Sequence, residues 1–530
     1  MRELSKGSLR CVGLAVSVVA MVTSGCAVGP NYERPEVQTP AGYRPATTQT
    51  SQEQPPEVQW WRTFGDPMLD RYIVAAWKDN LDVQVAAARV REARAQRRVA
   101  SSAYYPDVNA SGSYTRSRSA PGVRTANTAS GLSVRGGEHD LWQAGFDALW
   151  ELDVFGGTRR SVEAANADIE AAEANFDNAL VSLYGEVARN YVELRGFQRE
   201  IAIAQDNVRA QRETLELTRT RYRAGLTSDL DVARAEAQVA STLAQIPELQ
   251  TLARAAAHRL GVLLGREPTA LLDELDQPQR IPQPPPVIPV GIPSELLRRR
   301  PDIRSAERTL AAETARIGVA TADLFPRFTI TGNLGWSADQ FKNVFNVNSF
   351  GWSVGPGVTW NIFNAGRTRG QIAAQVARSD AQVATYKQTV LIAMEEVQNA
   401  LVSYEQDQIR RATLAEAVSA NQRAVSLAQQ LYQRGLADFL NVLQAQFNLF
   451  ASQDALVRSD AQVSADVVAL YKALGGGWEE KPAEGPMASA TTQPVGTDAT
   501  TLPVSDTIAP TPRPAPVTQQ APSPQARPVR

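Results

Sequence analysis

Apolar residues recur along this chain in two rhythms, one of period two and one of period three to four. In LWQAGFDALWELDVF, Trp142, Ala144, Phe146, Ala148, Trp150 and Leu152 alternate with Gln143, Gly145, Asp147, Leu149 and Glu151. In GWSVGPGVTWNIF, Trp352, Val354, Pro356, Val358, Trp360 and Ile362 alternate with Ser353, Gly355, Gly357, Thr359 and Asn361. FPRFTITGNLGW and PDVNASGSY repeat the pattern through Phe328, Ile330, Leu334 and Trp336, and through Val108, Ala110, Gly112 and Tyr114. Segments of about ten residues with one apolar and one polar face predict strands of a membrane barrel around a wet interior, with aromatics at the ends as interfacial anchors. A soluble sandwich alternates in the same way, so the choice depends on where the chain resides.

The second rhythm predicts helices too long for an ordinary globular domain. From 158 to 223, apolar residues fall at Val162, Ala165, Ile169, Ala172, Phe176, Leu180, Leu183, Val187, Tyr191 and Leu194, in steps of three and four. From 368 to 433 a similar stripe runs through Ile372, Val376, Val383, Tyr386, Val390, Val397, Leu401 and Tyr404. Such helices reach about 100 Å at roughly 1.5 Å per residue, and the stripe with its small alanines fits coiled-coil packing. Shorter returning helices are expected at 228–264, kinked at Pro247, and at 438–474.

These segments belong to two copies of one unit. TRYRAGLTSDLDVARAEAQ at 220–238 aligns with QLYQRGLADFLNVLQAQFN at 430–448, and LWELDVFGGTRR at 149–160 with VTWNIFNAGRTR at 358–369. The predicted organisation is a signal peptide at 1–25, an extended segment at 26–58, a first repeat at 59–276 with strands near 104–155, a Pro-rich linker at 277–293, a second repeat at 294–478 with strands near 325–363, and a disordered Pro/Ala/Thr-rich tail at 479–530. The fold class is α+β. Four strands cannot close a barrel, and open edges are not tolerated in lipid. Eight strands leave an interior just filled by side chains, so a pore requires at least three chains and twelve strands.

The start of the chain places it. Arg2, Lys6 and Arg10 precede an apolar run from Cys11 to Val22, which fits a signal peptide and falls short of the roughly 20 residues that span a bilayer. Thr23-Ser24-Gly25 then lead into Cys26, which resembles a bacterial lipoprotein box with the thiol as the lipidated group. Removal of the signal takes Cys11 with it and leaves no disulfide partner. The 54 basic and 56 acidic residues balance, which argues against nucleic acid as a partner. His139, in the Gly-rich loop VRGGEHD, and His258, in a helix, stand in no triad or metal-ligand spacing, and Met68, Met394 and Met487 are scattered. Nothing here points to an enzyme, a metal site or a cofactor beyond the lipid on Cys26.

CAVGPNYERP, RRRPDIRSAERTLAAETARIGVATADLFP, NIFNAGRTRG and LYKALGGGW resemble hallmarks of the TolC-like outer membrane efflux family, and more closely its lipoprotein branch. The resemblance covers roughly residues 26–478. It implies a homotrimer with a twelve-stranded barrel in outer membrane lipid and a helical barrel crossing the periplasm. It also implies a periplasmic adaptor and an inner-membrane pump, most often of the proton-driven RND type, for which this chain is the exit duct. In that family, side chains after the hairpin turns close the periplasmic end. Carried over, the aperture residues are Tyr222, Asp229, Asp231, Tyr432, Asp438, Asn441 and Gln444, and the adaptor-docking turns are Arg223, Ala224, Gly225 and Leu226, and Arg434, Gly435 and Leu436. Asn441 and Gln444 stand where TolC carries two aspartates, so the aperture departs from a two-ring acidic gate. For Asp229, Asp231 and Asp438, capping of a helix N-terminus remains open beside a role at the axis. A duct for ATP-driven protein or peptide secretion and a non-conducting envelope lipoprotein remain the alternative functions.

Overall fold

The computed structural model describes residues 27–43, 50–51, 57–118 and 138–479; Cys26, the signal segment and the tail from 480 onward lie outside them. Helices α1 (Pro67–Asp79) and α2 (Leu81–Ser102) lead into strands β1 (Asp107–Arg118) and β2 (Glu138–Leu152), then into α3 (Gly157–Arg223) and α4 (Asp229–Leu263). The second unit repeats the order with α5 (Pro301–Ala322), β3 (Arg327–Ala338), β4 (Phe350–Thr359), α6 (Arg367–Gln433) and α7 (Phe439–Ala473). The two long helices have 67 residues each. Helix α4 runs unbroken through Pro247. Proline removes one donor, and Leu243, whose carbonyl loses it, is 36% exposed, which leaves water as an alternative partner.

The strands form one antiparallel sheet in the order β1-β2-β3-β4. Its register brings the alternating residues of all four strands into step. Ala110, Phe146, Leu334 and Trp352 lie abreast on one face, followed by Val108, Ala148, Gly332 and Val354. The opposite face carries Asn109, Asp147, Asn333 and Ser353 abreast, with Asn109 Nδ2 donating to Asp147 Oδ2 at 3.4 Å and the Ser353 hydroxyl donating to Asn333 Oδ1 at 3.1 Å. A slip of one residue would exchange the faces. His139 is not in a loop: it is the second residue of β2, opposite Ser117, because the ladder extends beyond the alternating segment. Strands β1 and β4 are the two edges, and among the described residues no further strand covers them.

Helix α3 is the spine. It packs against α2 and α5 nearer the sheet and against α4 and α7 towards the hairpin turns, while α6 packs against α5 and α7. The lower layer therefore reads α4-α3-α7-α6 and, among the described residues, is open at both ends. The stripe predicted on α6 is buried from Tyr386 to Tyr404, whereas Val376 is exposed. Leu391, Val402 and Ile409 of α6 and Leu230, Leu243 and Leu252 of α4 are exposed as well, so both outer helices carry uncovered apolar positions. The main core lies midway, where Trp60 stacks on Tyr471 at 5.4 Å and Trp77 meets Phe176 edge-on at 5.9 Å.

Candidate channel wall and periplasmic tip

The apolar face of the sheet ends in aromatics at both levels. At one end Tyr114 lies against Trp142 with ring centres 4.2 Å apart, and Trp142 meets Phe341 at 5.0 Å. At the helix-bearing end Phe155 stacks on Phe325 at 4.6 Å. The paired tryptophans of the two repeats make the same bond there: Trp150 Nε1 donates to the Tyr104 carbonyl and Trp360 Nε1 to that of Leu324, both at 3.0 Å. An apolar band flanked by amphipathic rings whose N–H groups point towards the wet end is the arrangement a bilayer interface selects.

The N-terminal segment is strapped to the junction between sheet and helices. Val28 N donates to the Phe155 carbonyl at 3.1 Å, and buried Arg160 donates through Nε to the Val28 carbonyl at 3.1 Å and through Nη2 to Asn31 Oδ1 at 2.7 Å. The strap crosses α5 backbone on backbone: Gly29 has φ +92°, and a Cβ there would stand 2.4 Å from Gly318 Cα. It then runs down α5, with the Tyr32 hydroxyl donating to Glu307 at 3.2 Å. Cys26, whose lipidation the sequence predicts, lies outside the described residues.

At the far end both hairpins turn in the same way. The last turns of α3 and α6 close on Gly225 at φ +74° and Gly435 at φ +73°, with Leu226 N donating to the Arg221 carbonyl and Leu436 N to that of Leu431, both at 2.9 Å. This pairing satisfies the end carbonyls and requires a left-handed residue, which glycine supplies. Arg223, Ala224, Gly225, Leu226, Arg434, Gly435 and Leu436 are all exposed there, Leu226 by 64% and Leu436 by 71%.

The aperture residues separate into groups. Asp231 caps its own helix, accepting from the Thr227 hydroxyl at 2.6 Å and from Ser228 Oγ at 3.0 Å and Ser228 N at 3.4 Å. Burial pushes its carboxyl up, but those hydrogen bonds outweigh it and hold the acid below the usual carboxylate range. Asp229 opens α4 and Asp438 holds the N-cap position of α7, its carbonyl accepting from Asn441 N at 3.1 Å while its side chain makes no bond to the first turn; both are exposed. Asn441 and Gln444 follow Asp438 along one exposed side of α7, where Gln444 Nε2 donates to Asn448 Oδ1 at 2.9 Å. The two tyrosines, equivalent in the repeat, differ: Tyr222 is 46% exposed and Tyr432 is 3% exposed. Tyr432 packs with Leu215, Val232, Phe439 and Val442 in a core shared by both hairpins, so within this chain it braces the tip and lines no opening.

Sequence reasoning missed what holds that core together. Arg221 sits 4.6 Å over the Tyr432 ring and donates through Nη1 to the Tyr432 carbonyl at 2.9 Å and the Gln433 carbonyl at 3.3 Å, so one guanidinium ties the two hairpins. Only its place one residue before Tyr222 could have drawn notice, since its repeat counterpart is Leu431. Replacing Arg221 by alanine is expected to weaken the tip by about 2 kcal/mol, from the lost ring contact and charged hydrogen bonds. Amide exchange across 428–440 should then speed up in the Arg221→Ala protein and remain slow in Arg223→Ala; equal protection in both would refute the bracing role.

Midway along the helices, α3, α4, α6 and α7 border a groove of about 1200 Å³. Its lining includes the apolar Phe197, Ala461 and Ala465 and the acidic Glu248, Glu396, Asp454 and Asp466. The opposite face of this layer is covered by the end of the first repeat and the linker that follows it: Gln198 Nε2 donates to the Leu275 carbonyl at 2.6 Å, and the Ser464 hydroxyl to that of Pro282 at 2.7 Å.

A sheet with one lipid-compatible face, continued by helices of about 100 Å in a layer open at both ends, is a subunit of a membrane channel. The chain matches the outer membrane efflux protein family over residues 72–266 and 292–476 and belongs to it. It is 35% identical over 459 residues to Nodulation protein T of Rhizobium leguminosarum bv. trifolii, covering 87% of this chain and 96% of that protein. It is 31% identical over 491 residues to the probable efflux pump outer membrane protein TtgC of Pseudomonas putida, covering 91% and 99%. Among solved structures it superposes on the outer-membrane channel OprN with a TM-score of 0.79 and 37% identity, covering 86% of this chain and all of that one. The protein is thus an outer membrane efflux protein, and its family consists of channels, not enzymes.

Proposed function

We propose that three copies of this chain close into one duct that carries small molecules passively out of the cell, receiving them from a periplasmic adaptor and an inner-membrane RND pump. The observation that supports it most directly is the sheet register, which gives four strands a continuous apolar face and a continuous polar face while leaving the outer edges of β1 and β4 open among the described residues. Joining β4 of one copy to β1 of the next satisfies both edges, and three copies give the smallest barrel with an aqueous interior. The same operation covers the apolar positions left open on α4 and α6. The groove face of the helical layer, opposite the linker, then faces the axis.

The strap supports a lipid anchor in the same frame. It holds residue 28 beside Phe155, at the helix-bearing end of the membrane face, so an acyl group on Cys26 would enter the inner side of the outer membrane without reordering the chain. Asp229, Asp438, Asn441 and Gln444 form the exposed polar rim of the periplasmic aperture, and Leu226 and Leu436 offer apolar contacts to an adaptor. Photo-crosslinking in cells from Leu226 and Leu436 tests the partner, and conductance of purified assemblies in planar bilayers tests the duct. Capture of an adaptor of a proton-driven pump is expected. An adaptor of an ATP-driven exporter would move the function to secretion, and no conductance from inserted assemblies would favour a structural envelope lipoprotein.

A further inference from the structure

The loop between β3 and β4, residues 339–349, does not run clear of the sheet. Phe341 meets Trp142 of β2 at 5.0 Å, and Phe345 meets Trp336 of β3 at 5.6 Å. Trp142 and Trp336 belong to the apolar face, in step with Phe146 and Leu334, so the loop folds back over that face. Two short helical turns, Phe341–Asn343 and Val347–Ser349, give it a fixed shape. Val344 is buried, and the Ser349 hydroxyl donates to the Asn343 carbonyl at 2.8 Å. Phe341, Phe345 and Val347 nevertheless remain 64%, 70% and 90% exposed. Large apolar side chains held uncovered on the rim of a lipid-compatible band continue that band; water is the wrong solvent for them.

Charge begins one step further out. On the same face, two residues beyond Tyr114 and Trp142, Arg116 and Asp140 stand abreast, and two residues beyond those stand Arg118 and Glu138. Each such step is about 7 Å along a strand. The four groups pair among themselves: Arg116 with Glu138 and, at 3.9 Å, with Asp140, and Arg118 with Glu138 at 4.0 Å. The Tyr114 hydroxyl donates to Asp140 Oδ1 at 2.9 Å, so ring tips and charges meet at one level. A change from rings to charges within one step marks the upper limit of the hydrocarbon layer. Lys342, next to Phe341, is exposed at this rim and has no ion pair among the described residues.

We propose that the β3–β4 loop is a binding ledge for a glycolipid of the outer leaflet. Phe341, Phe345 and Val347 lie against its acyl chains, and Lys342 pairs with a phosphate on its sugar. The occupant follows from the leaflet: this is the end of the sheet opposite the helices, where an outer membrane presents acylated, phosphorylated sugars. Such a lipid covers the uncovered apolar side chains and supplies the anion that Lys342 lacks. The ledge needs neither pump nor adaptor; it depends on the outer membrane location and on the lipid-facing side of the sheet.

Native mass spectrometry of the purified assembly, titrated with lipid A, tests the ledge. Lys342→Glu should weaken binding about tenfold, and joint Phe341→Ser and Phe345→Ser at least as much. Ser337→Ala, on the polar face of β3, should bind as the native chain does. Lipid A stripped of its phosphates should bind the native assembly about tenfold more weakly, a comparison that needs no variant. Phosphatidylglycerol, an anion carried on glycerol, should also bind more weakly than lipid A. Equal binding with and without phosphates, undiminished binding by the glutamate or serine variants, or an equal loss in Ser337→Ala overturns the ledge. Equal binding of phosphatidylglycerol and lipid A overturns the choice of ligand. These readouts involve no conduction and no partner capture, so they succeed or fail separately from the proposed function.

Discussion

Replacing Arg195 by alanine is expected to cost the folded chain about 3–5 kcal/mol, from the cavity left by a large buried side chain and the buried acceptors that lose their donor. Its side chain is fully buried, with Nη1 donating to Gln198 Oε1 at 2.7 Å and to the Gln277 carbonyl at 2.9 Å. The guanidinium lies 5.0 Å from the centre of the Tyr191 ring, and the Tyr191 hydroxyl donates to Asp66 Oδ2 at 2.9 Å. Asp66 in turn caps α1 by accepting from Met68 N at 2.8 Å and Leu69 N at 3.2 Å. One side chain thus joins the spine helix, the linker between repeats and the start of α1. Alanine leaves a cavity and two acceptors without donors; Arg195→Met fills the cavity and should recover part of the loss. Thermal melting of the purified assembly by circular dichroism should rank the native protein above Arg195→Met and Arg195→Ala lowest. Coincident midpoints would show that the network does not bear on stability.

The second large effect is expected at Gly318. A Cβ there would stand 2.7 Å from Arg160 Cγ and 2.9 Å from the Val28 carbonyl oxygen, too close for either to remain. The Val28 carbonyl is backbone and does not relax by a rotamer change, so Gly318→Val should cost about 3 kcal/mol and displace the strap. Arg160→Ala should release the same strap by a different route, through loss of its donors. Limited proteolysis between residues 27 and 43 checks both: rapid cleavage is expected in the two variants and slow cleavage in the native chain. A strap equally resistant in all three would mean that other contacts hold it.

Local periodicity reveals most of this fold. Each long helix runs 67 residues because no proline interrupts it and apolar residues return every three to four positions. The alternation of β1 to β4 is visible strand by strand, and the duplication shows that the strands come in pairs. Long-range partners are a different matter. Arg195 reads as one more arginine on a polar stretch, and nothing near it in sequence announces Gln277. Trp60 and Trp61, at the centre of the main core, precede the first regular helix and belong to no periodic segment. The turn chemistry of Gly225 and Gly435 is legible from residue type alone. The contrast between Tyr222 and Tyr432 is not, because it depends on which hairpin supplies the arginine. Capping by Asp231 follows from its place three residues after Ser228, whereas Asp438 shows that the carboxylate of an acid at the start of a helix need not bond it.

The uncovered edges of β1 and β4 bear on heredity as well as on architecture. A chain that must borrow a neighbour's strand to satisfy its backbone cannot finish folding alone, and a copy left unpaired exposes a template for aggregation. Alleles that damage the tip but spare the edges would still enter mixed assemblies and impair their intact neighbours. Alleles that damage an edge would be excluded from the ring and left to periplasmic proteolysis. Dominance, in this protein, should follow from where in the chain the lesion falls.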